Sequence, residues 1–101
     1  MKIKNILLRE LEKTEKNIGL IKDEIEELPK GSLVKIKAKE NVYVYLKYRE
    51  NKNVKSIYIG RDNDIETLKM DSDIKKRKKL EKALLELEQE KELMVKMLKV
   101  K

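Results

Sequence analysis

The apolar residues of this chain recur with two different periods, and the change of period divides the sequence into three parts. Between Leu33 and Gly60 apolar positions alternate with basic and tyrosyl ones, the two-residue period of β-strands. On both sides apolar residues recur every three or four positions, as in amphipathic helices. The pattern predicts one α+β domain over 1–101. Its predicted order is an N-terminal helix (1–28), a three-stranded antiparallel β-meander (33–60) and a long C-terminal helix (about 73–98).

The two connections of the meander decide which side chains share a face, because a one-residue shift moves a whole strand's side chains to the opposite face. Residues 39–41 are predicted as a three-residue loop with Asn41 in the left-handed conformation. A two-residue loop at 40–41 would mix apolar and basic residues on each face. The second connection is predicted as a two-residue turn at 51–52. The expected pairs are Ala38 with Val42, Ile36 with Val44, Val34 with Leu46, Leu46 with Ile57, and Val44 with Ile59.

These pairs give the predicted sheet two chemically different faces. The face expected to be buried carries only aliphatic residues: Val34, Ile36, Ala38, Val42, Val44, Leu46, Ile57 and Ile59. The other is basic and aromatic, with Tyr45 opposite Tyr58, and carries Lys35, Lys37, Tyr43, Tyr45, Lys47, Arg49, Ser56 and Tyr58. Three of the four tyrosines are therefore expected on the basic face.

The flanking helices carry apolar residues at heptad spacing, which is typical of coiled-coil packing. The first seam consists of Leu7, Leu11, Thr14, Ile18, Ile21, Ile25 and Leu28. The second consists of Leu80, Leu84, Leu87, Met94 and Leu98, interrupted by Lys91. A sheet of three short strands is marginal alone, so at least one helix is expected to lie across it. The alternative is that the helices mainly pair with each other and the sheet protrudes.

Local signals place the ends of both helices. Pro29 and Gly31 end the first one. Residues 65–70 are predicted to form a short helical turn of their own, and Asp71 or Ser72 to cap the last helix. Apolar residues outside the second seam, such as Leu85, indicate a further contact, for which a homodimer interface is the simplest expectation.

Composition excludes several classes of function. The 101 residues include no cysteine, histidine, phenylalanine or tryptophan. Disulfides, thiolate nucleophiles, imidazole bases and the usual zinc sites are therefore not expected, and no cofactor is predicted. No apolar run approaches the roughly 20 residues of a membrane-spanning helix, so a cytoplasmic protein is expected. The acidic residues between Asp62 and Asp73 lack the order of a calcium loop and are not accompanied by a nucleophile and base pair, so an enzyme is not expected.

The net charge of +7 is unevenly distributed along the chain. Residues 29–61 contain nine basic and two acidic residues, and residues 74–101 contain ten basic and five acidic ones. Such clustering favours an anionic partner. The alternative is a lysine-rich surface that only keeps the protein in solution.

Nucleic acid is the anionic partner that the residue types suggest. Tyrosines on a basic sheet can stack unpaired bases while lysine and arginine neutralise phosphates. A second group of cations is predicted at the start of the last helix, where helix-start amides also attract anions. The candidate residues are Lys35, Lys37, Tyr43, Tyr45, Lys47, Arg49, Tyr58, Arg61, Lys75, Lys76, Arg77, Lys78 and Lys79. The alternatives are tyrosines that are half-buried cross-strand partners, and a helix start neutralised by its own carboxylates.

Three short motifs carry a resemblance to a known family. They are Leu28-Pro29-Lys30-Gly31-Ser32, Tyr43-x-Tyr45-Leu46-x-Tyr48-Arg49, and Lys55-Ser56-x-Tyr58-Ile59-Gly60. The chain resembles a small family of uncharacterised bacterial and phage proteins with this lead-in segment and tyrosine-rich hairpin. The hairpin also resembles one at the front of some transposases. The resemblance implies a phage or mobile-element setting, hence a host cytoplasm, and no catalytic residues.

Three hypotheses follow. The first is a non-enzymatic protein that binds nucleic acid or a nucleoprotein through the basic sheet face and the basic helix segment. The second is a protein inhibitor of a host defence complex, such as an anti-CRISPR protein, that acts by protein–protein binding. The third is a homodimeric helical module in which Thr14 and Lys91 set the pairing register.

Overall fold

The computed structural model describes residues 2–99 and has the predicted α+β architecture. Its elements are α1 (Lys2–Glu26), β1 (Ser32–Ala38), β2 (Asn41–Glu50), β3 (Asn53–Arg61) and α2 (Ile65–Lys99). The strands form one antiparallel sheet in the order β1-β2-β3. Neither helix, as described, is long and apolar enough to span a bilayer.

The chain divides into two compact units, one helical and one containing the sheet. The helical unit combines α1 with the part of α2 from Lys79 onward. All of the predicted seam residues of both helices are buried or half-buried, including Lys91 in the second seam. Thr14, Ile18 and Ile25 are the most buried residues of α1. The heptad spacing therefore predicts the helical packing correctly.

The sheet unit spans Leu28–Lys78 and contains the first part of α2. Val44 and Leu46 of the central strand are buried, as are Thr67 and Ile74 of α2. Because Thr67 and Ile74 are seven residues apart, they lie on the same side of the helix. This part of α2 lies against one face of the sheet, as the sequence predicts for at least one helix.

The last helix begins at Ile65, eight residues earlier than the predicted start at Asp73. The Asp64 carbonyl accepts the Leu68 N–H at 2.9 Å, and the Asp64 carboxylate accepts the Arg61 N–H at 2.9 Å. The predictions of a separate turn at 65–70 and of a cap at Asp71 or Ser72 are therefore wrong. No glycine or proline interrupts 65–99, and Asp71 pairs with Lys75 one turn on at 2.9 Å, which supports helix in this stretch.

The first hairpin has a two-residue loop, so the predicted register of β1 is wrong. Ala38 pairs with Asn41, which leaves residues 39–40 as the loop, with Lys39 in the left-handed conformation at φ 57°. Leu33 faces Leu46 on the buried side of the sheet. Val34 and Ile36 therefore lie on the opposite face, beside Tyr45 and Tyr43. The prediction assumed that Val34, Ile36 and Ala38 were the inward residues of β1, whereas the inward apolar residue is Leu33.

The second hairpin has the predicted two-residue turn, with Glu50 paired to Asn53 and Asn51 at φ 58°. Leu46 faces Ile57 and Tyr45 faces Tyr58, as predicted. The expected pairing of Val44 with Ile59 is wrong, because the register shifts there and Val44 faces Gly60. Such a β-bulge leaves one extra residue in a strand, and here that residue is Ile59.

Gly60 lies close to the start of α2. A Cβ atom at this position would lie 3.0 Å from both Asp64 Oδ2 and Thr67 Oγ1. The Thr67 hydroxyl is buried and has no hydrogen-bond partner within the described part of the chain. The bulge therefore places a glycine, which has no side chain, where α2 packs against the sheet.

We expect Gly60→Ala to lower the free energy of unfolding by about 1–3 kcal/mol, because the added methyl overpacks this contact. Gly19→Ala is the matched control. Gly19 lies inside α1, and a methyl group added there would have nothing within 4 Å, so alanine should raise stability by about 0.5–1 kcal/mol. Urea unfolding followed by circular dichroism measures both. Equal stability of Gly60→Ala and the parent chain would contradict the proposed packing.

Candidate nucleic-acid interface

The register of the strands places three tyrosines on the sheet face that α2 does not cover. We call this surface the tyrosine face. By strand pairing it comprises Ser32, Val34, Ile36, Ala38, Asn41, Tyr43, Tyr45, Lys47, Arg49, Val54, Ser56, Tyr58 and Arg61. Tyr48 lies on the other side of the sheet, which we call the core face. The parity of β2 therefore places Tyr43, Tyr45 and Tyr48 correctly, and the predicted turn at 51–52 places Tyr58 opposite Tyr45.

The three tyrosine rings form a contiguous cluster across β2 and β3. Tyr58 packs against Tyr45 with ring centroids 5.3 Å apart and against Tyr43 at 6.2 Å. Both ring pairs are tilted, by 60° and 53°, the arrangement that aromatic quadrupoles favour. Tyr58 is 51% exposed, whereas Tyr43 and Tyr45 are half-buried. The rings support one another as cross-strand partners and still present aromatic surface to solvent.

Three cations lie at the two ends of this cluster. Arg61 is paired with Tyr43 across the strands, while Lys47 and Arg49 follow Tyr45 along β2. All three are exposed, and none forms an ion pair within 4 Å with a carboxylate among residues 2–99. The strand residues of the tyrosine face include no aspartate or glutamate. The face is therefore aromatic at its centre and positively charged at both ends.

Lys35 and Lys37, predicted on the tyrosine face, lie on the core face instead. The two-residue loop causes this change, because Lys35 pairs with Val44 and Lys37 with Val42. The Lys35 ammonium forms an ion pair with Asp62, with Nζ 3.2 Å from Oδ1. These two lysines therefore do not flank the tyrosine rings.

The basic run from Lys75 to Lys79 lies well inside α2, because the helix begins at Ile65. The prediction that these cations share a helix start with free amides is therefore wrong. Lys75, Lys76, Lys78 and Lys79 are exposed. Arg77 is half-buried, and its Nη1 donates a hydrogen bond to the Leu28 carbonyl at 2.7 Å. That bond ties α2 to the segment that follows α1, so Arg77 has a structural role.

Three aliphatic residues of the tyrosine face were missed by the sequence prediction. Val34 and Ile36 on β1 are 36% and 50% exposed, and Val54 on β3 is 56% exposed. The alternation of β1 alone could not place them, because that strand has apolar residues at both odd and even positions. The signal in the sequence that could have placed them is Leu33, because a two-residue loop at 39–40 pairs Leu33 with Leu46.

The comparisons with known proteins identify a family without a described activity. A family model described as a domain of unknown function (DUF6788) matches residues 6–69. The match includes every residue of the tyrosine face and ends within the first part of α2. No curated protein and no solved structure matches the chain.

Proposed function

Because the chain belongs to the DUF6788 family of domains of unknown function, we propose its role from its own surface: a non-enzymatic protein that binds unpaired nucleic acid. The observation that carries the proposal is the tyrosine face, on which three partly exposed rings lie between three exposed cations that form no ion pair among residues 2–99. The residues that we assign to binding are Tyr43, Tyr45, Tyr58, Lys47, Arg49 and Arg61.

Base stacking is the source of affinity in this proposal. An unpaired base presents a flat apolar surface to a ring, and each such contact contributes ~1–3 kcal/mol by alanine substitution. Paired bases in a duplex keep their faces stacked on each other, so they gain little from the rings. The tyrosine face should therefore prefer single strands to duplexes.

Charge is the second source of affinity. Arg61 at one end of the ring cluster and Lys47 with Arg49 at the other can contact phosphates of one strand that crosses the rings. Each neutralised phosphate on a single strand contributes about −0.7 to the slope of log K against log salt concentration. Three such contacts predict a slope of about −2.

The biological setting is part of the same proposal. The lead-in segment at 28–32 and the hairpin that ends in Tyr58-Ile59-Gly60 resemble segments of phage and mobile-element proteins. We therefore place the protein in the cytoplasm of a host cell, acting on nucleic acid or a nucleoprotein of such an element.

Removing two rings should weaken binding strongly. We expect the double variant Tyr45→Ala with Tyr58→Ala to bind a fluorescent oligothymidylate at least about 30-fold more weakly, since two stacking contacts are lost. The matched control is Tyr45→Phe with Tyr58→Phe, which keeps both rings and should stay within about threefold of the parent chain. Fluorescence anisotropy at low salt measures the affinities. The absence of detectable binding by the parent chain would refute the proposal.

Two pairs of cations on the strands, Lys47 with Arg49 and Lys35 with Lys37, allow a charge-matched comparison of the two sheet faces. Lys47→Gln with Arg49→Gln should make the salt slope shallower by about 1.4, because two phosphate contacts are lost. Lys35→Gln with Lys37→Gln removes the same charge from the core face and should leave the slope nearly unchanged. Binding titrations from about 20 to 200 mM salt measure the salt slopes of both variants. An equal change of the salt slope in both variants would show that binding depends on net charge alone and not on the face that carries it.

A second candidate function is favoured by Val34, Ile36 and Val54. Exposed aliphatic side chains beside tyrosines and arginines are typical of protein–protein interfaces. In this alternative the tyrosine face docks on a protein of a host defence complex and inhibits it, as an anti-CRISPR protein does. Capture of that complex should then survive nuclease treatment and be lost in the Tyr45→Ala, Tyr58→Ala variant, whereas capture through nucleic acid should not survive nuclease.

A homodimeric role rests on the helical unit. Leu85 and Leu93 of α2 and Leu20 of α1 are exposed outside the packed seams, and they favour association with a second copy. Sedimentation at several concentrations measures this, and a chain that stays monomeric throughout would exclude the dimer.

A further inference from the structure

The first part of α2 presents lysines on the side that faces away from the sheet. Thr67 and Ile74, which are 4% and 5% exposed, lie against the sheet. Lys69 and Lys76 each follow two positions later and are exposed. Two residues correspond to about 200° around a helix of 3.6 residues per turn. These two lysines therefore point away from the sheet, and Lys75, about 100° around the helix from Lys76, projects from the flank of α2. We call Lys69, Lys75 and Lys76 the helix lysines.

The helix lysines and the tyrosine face lie on opposite sides of the sheet unit. Gly60 on the core face contacts Thr67, so α2 packs on the side of the sheet that the tyrosines do not occupy. The thickness of a helix with its side chains, about 10–12 Å, separates the helix lysines from the sheet. A short strand stacked on the tyrosines cannot contact these lysines as well. The candidate residues thus form two separate positive surfaces.

The ammonium groups of the helix lysines are available to an anion. Lys69 and Lys76 form no ion pair within 4 Å among residues 2–99. Lys75 pairs with Asp71 at 2.9 Å, but its side chain is 71% exposed, and exposed pairs of this kind contribute little. No tyrosine lies in α2, so this surface can neutralise phosphates but offers no ring for a base. Its chemistry suits the backbone of a duplex.

Resting on the proposed function, we propose that the sheet unit binds two nucleic-acid segments at once and bridges them. Unpaired bases of one segment stack on the tyrosine face. The phosphate backbone of a second, duplex segment lies along the helix lysines on the opposite side. Binding at the two surfaces is independent, because neither surface shares a side chain with the other.

A sandwich capture experiment with the full chain tests the bridge. The chain is loaded onto beads that carry an oligothymidylate, and a fluorescent duplex is then added at low salt. Loaded beads should retain the duplex, and bare beads should not. Replacing the helix lysines (Lys69→Gln, Lys75→Gln and Lys76→Gln) should lower duplex retention at least about tenfold, with affinity for oligothymidylate kept within about twofold.

The charge-matched control removes three exposed lysines of α1, as Lys2→Gln, Lys4→Gln and Lys16→Gln, and should retain the duplex like the parent chain. Beads that load the parent chain but hold no duplex would overturn the bridge and leave the proposed function standing. Beads that fail to load would refute the proposed function instead. Equal duplex retention by the helix-lysine variant would also overturn the bridge.

Sedimentation of the soluble mixture supplies the stoichiometry. One chain, one oligothymidylate and one duplex in a single species support the proposal. A ternary species that always contains two chains would overturn it, because two separate chains would then hold the two segments.

Discussion

The pairing of β1 with β2 determines the chemistry of both sheet faces. A two-residue loop at Lys39 and Glu40 brings Leu33 opposite Leu46, and the rest of β1 follows with its alternation unchanged. Leu46 is buried and Leu33 half-buried at this contact. The core face gains a leucine pair, while Val34 and Ile36 are placed beside the tyrosines. With a loop one residue longer, Lys35 and Lys37 would lie beside the tyrosines in place of Val34 and Ile36.

The other consequence of this register concerns the edge of the sheet. β1 is an edge strand, and an unpaired edge is a template for association with another chain. Lys35 and Lys37 project to the core-face side of that edge, where a second sheet would have to accommodate their charges. Inward-pointing lysines on edge strands are a known protection against such pairing. The two lysines thus have a structural explanation that needs no ligand.

The sequence correctly predicts the parts of the molecule where the pattern of apolar and polar residues is compatible with only one structure. The heptad seams of both helices, the turn at Asn51 and the alternation of β2 belong to this group, because apolar and polar residues there follow a single parity or period. The tyrosines, Lys47 and Arg49 were therefore placed on the correct face. Arg61 joined them only through the bulge at Ile59, which shifts the register of β3.

In other parts of the chain the sequence pattern is compatible with two structures. β1 has apolar residues at both parities, and its loop contains no glycine, so the sequence predicts Asn41 as the left-handed residue, whereas Lys39 has that conformation. The start of α2 was misplaced because Asp71, Ser72 and Asp73 are good capping residues in isolation. Asp64 occupies the N-cap position instead, because its carbonyl accepts the Leu68 N–H, while its carboxylate accepts the Arg61 N–H. Both errors were resolved by tertiary contacts.

The most direct test is a set of nuclear Overhauser contacts from the ring protons of Tyr43 and Tyr45 in the free protein. The register described above predicts contacts from these rings to the methyl groups of Ile36 and Val34, and from Leu33 to Leu46. Contacts of the Val34 and Ile36 methyl groups with Leu46 and Val44 would instead show the three-residue loop. That result would contradict the placement of Val34 and Ile36 beside the tyrosines, and with it the protein-docking alternative that rests on these exposed side chains.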